Sequence, residues 1–319
     1  MKPTTSHPAK PQALIPNLFS AHITDELRCY DEHLRDVRGL ATDTRKGRLR
    51  VVGLLLKEKF KGRAIEMGKL HPNDIRQFLT AQQNRKQSAS YSSHVAATLR
   101  SYLRYRATCG DPVGKLTAVI LNPVHWKLAS LPRALNPEQV ERLLSSISTA
   151  RRWPKRGYAI VRCALDLGLR AGEIAHLMLS DIDWHAGTVM LRGTKSLRQD
   201  ILPLPMETGQ ALADYLQHER HATQNPAIFI LQKEGRDYPI TSGAIQKIIK
   251  RACLRIGLPH SSAHALRHTV ACRLVENGSS LKEVADLLRH RSLNTTLIYA
   301  KLDTPKLAAV ALPWPGSSS

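Results

Sequence analysis

Between Ala263 and Tyr299 the sequence writes two helices and the break between them, and any fold for this chain has to accommodate what they carry. The first helix runs from Ala263 to about Glu276, where Asn277 and Gly278 stop it. Ser280 and Glu283 form an S-x-x-E capping box for the second. Val284, Leu287 and Leu288 give that second helix an apolar stripe ending at His290. A short polar link, Arg291 to Thr296, then delivers Tyr299. On the first helix His264 and Arg267 are three residues apart and share a face. A histidine, an arginine, a second histidine and a tyrosine thus gather around one two-helix turn.

Such a set suits an anionic ligand, and the charge of the whole chain agrees. Among 319 residues, 47 are Lys or Arg and 26 are Asp or Glu, a formal net charge of +21. That is the footprint of a protein acting on a polyanion, with nucleic acid the first candidate. A membrane is disfavoured, because no apolar run approaches the ~20 residues of a span and no basic amphipathic stripe stands out. The opening MKPTTSHPAKPQ lacks the apolar core of a secretory signal. Five widely spaced cysteines without a C-x-x-C read as reduced thiols. A cytoplasmic protein, associated with the nucleoid when on DNA, is therefore expected.

The length allows two domains, and the pattern divides accordingly. Residues 1–16, with four prolines, read as a mobile arm. Residues 17–110 read as a helical bundle without strands. Leu27, Tyr30, Leu34 and Val37 repeat at helical spacing after Thr24, a candidate N-cap, and Gly39 ends that run. Further helices are expected over Asp43 to Phe60 and from Asn73 and Ser90. Residues 111–135 mix Gly, Pro and isolated apolar positions and read as a linker. Asn136-Pro137-Glu138 starts a second domain, 136–303, with an N-cap, a proline and an early acid. Its one clear β region, Ile182 to Leu204, reads as a three-stranded meander with Lys195 in the second turn. Ile228 to Leu231 fits a strand or a helix. Residues 304–319 form a tail. The fold class is mainly α with a small antiparallel sheet.

Within the first domain, Arg45, Lys46, Arg48, Arg50, Lys57, Lys59, Lys61 and Arg63 stand against the single acid Glu58. A charge run is commonly a solvated helix face, but in so basic a chain these eight are the candidate DNA-phosphate contacts.

The second domain resembles the tyrosine recombinase (phage integrase) family. That family carries H-x-x-R, a second His or Trp about two dozen residues on, and a nucleophilic Tyr, matched here by His264, Arg267, His290 and Tyr299. It also carries an earlier Arg in G-[LV]-R-x-x-E, matched by Gly168-Leu169-Arg170-Ala171-Gly172-Glu173, and a hairpin Lys, matched by Lys195. One departure is Arg289, where the family usually has Gly. The resemblance implies a helical DNA-binding domain followed by an α+β catalytic domain. It implies cleavage and rejoining of double-stranded DNA through a 3′-phosphotyrosine, with neither metal nor cofactor. It also implies a homo-tetramer on two synapsed sites, whose C-terminal tails pack on neighbouring protomers.

The chemistry fits those residue types. Arg170 and Arg267 offer planar forked donors for phosphate, which Lys could not reproduce. Tyr299, with an ordinary pKa near ~10, needs a cationic field or a base to act as a nucleophile. By resemblance Lys195 is the acid for the departing 5′ oxygen, His264 exchanges a proton with Tyr299, and His290 bonds the phosphate. Glu173 braces the set, and His268 is a packed second-layer histidine. His264, His268 and Cys272 lie at i, i+4 and i+8 and could hold a metal, but no fourth ligand is near. Two other readings stay open: a type IB topoisomerase, and a DNA-binding accessory protein with an inactive site.

Overall fold

Leu27, Tyr30 and Leu34 are fully buried, as their spacing predicts, and they anchor α1 (Ala21–Glu32) and the single wider π turn His33–Val37 that extends it. The N-cap is Ser20, one turn before the expected Thr24. Val37 is 71 % exposed, because the π turn inserts a residue and rotates the apolar face past it. Gly39, at φ +57°, ends the run. The computed structural model describes residues 15, 18–86, 89–121, 134–192, 199–259, 261–290 and 292–302. The chain divides into two units, Met1–Trp126 and Lys127–Ser319.

In the first unit α2 (Thr42–Phe60), α3 (Pro72–Lys86) and α4 (Ala89–Thr108) join α1 around a core that includes Leu49, Val52, Leu56, Phe78, Leu99 and Leu103. Gly53, in mid-helix, leaves the space that the Phe19 ring fills; a Cβ there would sit 2.5 Å from it. The expected linker differs from what is found at its start. Helix α5 (Gly114–Ala118) and the buried Val113, Leu116 and Ile120 complete this core, so 111–121 belongs to the helical unit. Three apolar residues at three- and four-residue spacing satisfied too little of a helix pattern to stand out beside Gly110, Pro112 and Gly114.

The second unit opens on α6 (Pro137–Ser148), whose capping box has Asn136 accepting from the Gln139 N–H at 2.8 Å and Gln139 accepting from Asn136 at 3.1 Å. Helix α7 (Pro154–Asp166) is buried almost throughout and ends in the loop before α8 (Ala171–Ala175). Strands β1 (Ile182–Asp183), β2 (Thr188–Arg192) and β3 (Gln199–Pro203) form the expected antiparallel meander, with Val189 opposite Leu202 and Arg192 opposite Gln199. Helix α9 (Met206–His218) packs on α7. Ile230 then starts β4 (Ile230–Lys233), paired with β5 (Arg236–Pro239) across Glu234 and Gly235, both at positive φ. The second of these strands, Arg-Asp-Tyr-Pro, has no apolar alternation, which hid the hairpin in the sequence. Helices α10 (Ser242–Arg255), α11 (Ala263–Glu276) and α12 (Leu281–Leu287) close the unit, followed by 3-10 turns at Leu293–Thr295 and Leu297–Leu302. Among the described residues no helix is long and apolar enough to cross a membrane.

Candidate active site

One glycine-dependent close approach and one capped helix break build the site. Gly168, at φ +60°, turns the chain between α7 and α8, and a Cβ on it would lie 2.6 Å from Leu288 Cδ2. The loop before Arg170 can therefore lie directly on the end of α12. Asn277 and Gly278 stop α11 where expected. Ser280 Oγ then accepts from the Glu283 N–H at 3.2 Å while the Glu283 carboxylate accepts from the Ser280 N–H at 2.6 Å, which starts α12 at a fixed angle.

The two arginines converge on this junction. Arg267, on α11, is 2 % exposed; it donates through Nη1 to the Gly168 carbonyl at 2.5 Å and through Nη2 to the Leu288 carbonyl. Burial, then the neighbouring Arg170 charge, pushes its pKa down to about 9, which still leaves it cationic at neutral pH. Arg170, the residue before α8, donates through Nη2 to the carbonyl of Arg289 at 3.2 Å and through Nη1 to Glu173 Oε1 at 2.6 Å. The consecutive carbonyls of Leu288 and Arg289 thus anchor the two guanidiniums side by side. Glu173 also accepts the Arg170 backbone N–H at 2.8 Å, and its carboxyl is held below the usual range by Arg289 and Arg170 against the opposing effect of burial.

His290 follows immediately, half-buried, with Nδ1 2.7 Å from Thr296 Oγ1. Burial and then Arg267 and Arg170 lower its pKa to about 4. Tyr299, on the last 3-10 turn, is 2 % exposed and packs among Val270, Cys272, Val275, Val284 and Leu288. Burial pushes its hydroxyl up to about 12.

The partner of that hydroxyl differs from the expected one. His268 Nδ1, not His264, lies 2.6 Å from Tyr299 Oη. His264 stacks edge-on against His268, ring centroids 4.4 Å apart, one turn further from the tyrosine. Burial, then His264 and Arg267, lower the His268 pKa to about 4, so the ring is neutral and can accept a proton. No local signal separates the two: positions 264 and 268 lie on one helix face, and which of them meets the hydroxyl depends on the path of the later 3-10 turn. Cys272, the third member of that i, i+4, i+8 series, is buried in the apolar cluster around Tyr299.

Lys195 lies between the paired ends Arg192 and Gln199 of the β2–β3 hairpin, outside the described residues, as do the arm 1–16 apart from Ile15, residues 122–133 of the expected linker, and the tail 304–319. The eight basic residues of the first unit sort by helical phase. Arg45 is turned inward, 8 % exposed, and paired with Asp31 at 2.9 Å. Arg48 donates to Ser101 Oγ at 2.6 Å, and Lys59 pairs with Asp74 at 2.6 Å. Lys46, Arg50 and Lys57 share the opposite face, where Arg50 and Lys57 are exposed, and Lys61 and Arg63 are exposed just past its end. Arg45 is thus a core ion pair rather than a free surface cation.

Comparison with known proteins follows the same lines. The profile of the "Phage integrase family" matches residues 133–305. The chain is 34 % identical over 298 residues to "Putative integrase/recombinase y4rA" of Sinorhizobium fredii, covering 93 % of this chain and 72 % of that one. It is 28 % identical over 240 residues to tyrosine recombinase XerA of Thermococcus kodakarensis, covering 75 % and 80 %. Among solved structures, the site-specific recombinase XerH bound to palindromic difH substrate, a post-cleavage complex, superposes with TM-score 0.67 at 20 % identity, covering 92 % of this chain and 90 % of that one.

Proposed function

Because the chain belongs to the phage integrase family and is a site-specific DNA recombinase, we propose that Tyr299 is its nucleophile and that Arg170, Arg267 and His290 hold the phosphate it attacks. The observation that carries this reading is the junction at Leu288–His290. Its consecutive carbonyls orient both guanidiniums, and it packs against the helix that holds Tyr299 beside His268.

Each group then has a task. Arg170 and Arg267 neutralise charge building on the non-bridging oxygens, where preorganised donors stabilise the transition state most. His290, with Nδ1 engaged by Thr296, has Nε2 left to bond a phosphate oxygen. The Tyr299 oxygen attacks phosphorus, its proton passes to His268, and the bond to the 5′ oxygen breaks as Lys195 protonates that oxygen. The products are a 3′-phosphotyrosine and a free 5′-hydroxyl, and the reverse steps join the tyrosyl-linked end to a new 5′-hydroxyl. Energy of the broken ester is retained in the tyrosyl ester, so rejoining requires no nucleotide cofactor. Because the His268 pKa is lowered and the Tyr299 pKa raised, the proton stays on the phenol at rest. Deprotonation therefore accompanies attack rather than preceding it.

The face of α2 carrying Lys46, Arg50 and Lys57, with Lys61 and Arg63 beyond it, supplies phosphate contacts that position the duplex without reading sequence. Exchange between two duplexes requires four strand cuts, and one nucleophilic tyrosine per chain therefore implies four copies on a pair of sites.

The test is a duplex nicked next to the cleavage point, so that the cut fragment diffuses away and traps the intermediate. The unaltered chain should form a covalent adduct stable to denaturant, and Tyr299→Phe should form none while binding the duplex equally. An adduct persisting in Tyr299→Phe would assign the nucleophile elsewhere.

A further inference from the structure

Arg289 is the residue at which this sequence departs from the pattern it otherwise follows, and the structure gives it work. Its backbone is left-handed, φ +53°, a conformation that glycine adopts freely and a side chain holds only where its surroundings fix it. Its side chain does not point to solvent. With 9 % exposure it turns inward, donating through Nη2 to Glu173 Oε2 at 2.8 Å and through Nη1 to the Leu287 carbonyl at 3.0 Å.

Arg289 therefore grips Arg170 twice. Its carbonyl accepts from Arg170 Nη2, and its guanidinium holds the carboxylate that holds Arg170 Nη1. The charge count matters as much as the geometry. Glu173 paired with Arg170 alone would cancel, leaving a carboxylate one side chain from the place an anionic phosphate must enter. With Arg289 behind it, the trio of two guanidiniums and one carboxylate is net +1, with Arg170 its half-exposed member.

We propose that Arg289 is a positioning residue for strand cleavage: by occupying Glu173 from behind and bracing Arg170, it keeps the charge of Arg170 directed at the scissile phosphate. This rests on the reading of Arg170 as a phosphate ligand. Arg289 itself touches no substrate. It replaces the backbone freedom of a glycine with a strained residue whose side chain supplies the third charge.

The decisive variant is Arg289→Gly in the full chain, because glycine accepts the left-handed backbone and the turn is not disturbed by the loss. Adduct formation by the unaltered chain and its absence in Tyr299→Phe are measured first. No adduct from the unaltered chain would overturn the site assignment, and this inference with it. Given that adduct, Arg289→Gly should remain folded at the assay temperature and keep its duplex affinity but cleave saturating nicked duplex at least about tenfold more slowly, the cost of a misdirected catalytic group. Arg289→Lys, which keeps the charge, should recover part of the rate. On a duplex whose scissile phosphate is replaced by a neutral methylphosphonate, the deficit of Arg289→Gly should largely disappear, since there is less anionic charge to meet. Cleavage by Arg289→Gly at the unaltered rate overturns the inference. So does a deficit equally large on the neutral substrate, which would make Arg289 a purely structural brace.

Discussion

His268 Nδ1 and Tyr299 Oη lie 2.6 Å apart across α11 and the last 3-10 turn, and this contact ties the proposed nucleophile to a neutral ring. His268→Ala should therefore slow covalent cleavage by about 10² or more, the usual worth of a positioned general base. His264→Ala, one turn removed, should cost less. Single-turnover cleavage of nicked duplex measures both. If His264→Ala is the slower variant, the proton leaves by the route expected from the family resemblance instead.

Half-buried neutral histidines also set the response to acid. His268 and His290 are both lowered to about 4 from an ordinary value near ~6.5, and His264 and His94 are lowered as well. Between those limits the unfolded chain binds protons that the folded chain refuses. Stability is thus fully present above about pH 6.5 and declines as pH falls towards about 4. Thermal melts should drop by several degrees between pH 7.5 and pH 5, and His268→Gln should flatten the dependence. A melting temperature unchanged over that interval would contradict the lowered pKa values of His268 and His290.

Gly168→Ala combines a left-handed backbone with a Cβ 2.6 Å from Leu288 Cδ2. The expected cost is roughly 1–3 kcal/mol from strain and overpacking. Adding Leu288→Ala should remove the steric part but not the backbone part, so the pair should be less destabilised than the sum of the singles. Denaturant unfolding of the four proteins tests this; strict additivity would mean the two residues do not meet.

The basic run should separate into two behaviours. Replacing Lys46, Arg50 and Lys57 together by Ala should weaken binding to unrelated duplexes alike and lower the log–log salt slope by about 2 to 3, one phosphate per lost cation. Arg45→Ala should instead cost on the order of 3 kcal/mol of stability, because it strands the buried Asp31. Filter binding across a salt series and a thermal melt distinguish them; an altered salt slope in folded Arg45→Ala would refute the division.

That division shows which features the sequence made readable and which it did not. At 100° per residue Lys46, Arg50 and Lys57 fall within about 40° of one another while Arg45 faces away, so helical phase alone carries the sorting. The capping box at Ser280, the stop at Asn277 and the meander before Leu204 are likewise local, and they were legible for that reason. Long-range geometry was not. The inward turn of Arg289 depends on Glu173, 116 residues earlier, and the need for Gly168 depends on Leu288. The π turn after α1 left no trace because its inserted residue costs one register step, and the Glu234–Gly235 hairpin was masked by a polar second strand. The choice of His268 over His264 turned on the path of a 3-10 segment that periodicity does not fix.

Tyr299 is enclosed by Val270, Cys272, Val284 and Leu288 of its own chain, on the same helix pair that carries Arg267. Among the described residues, Arg170, Arg267, His268, His290 and Tyr299 thereby meet within one chain. Defective alleles should accordingly fail to complement: Tyr299→Phe mixed with Arg267→Ala should yield no more covalent adduct than either alone. Mixing unaltered chains with Tyr299→Phe should leave each unaltered copy able to cut while completed exchange declines more steeply than the dose, so the mutant behaves as dominant in a cell that makes both.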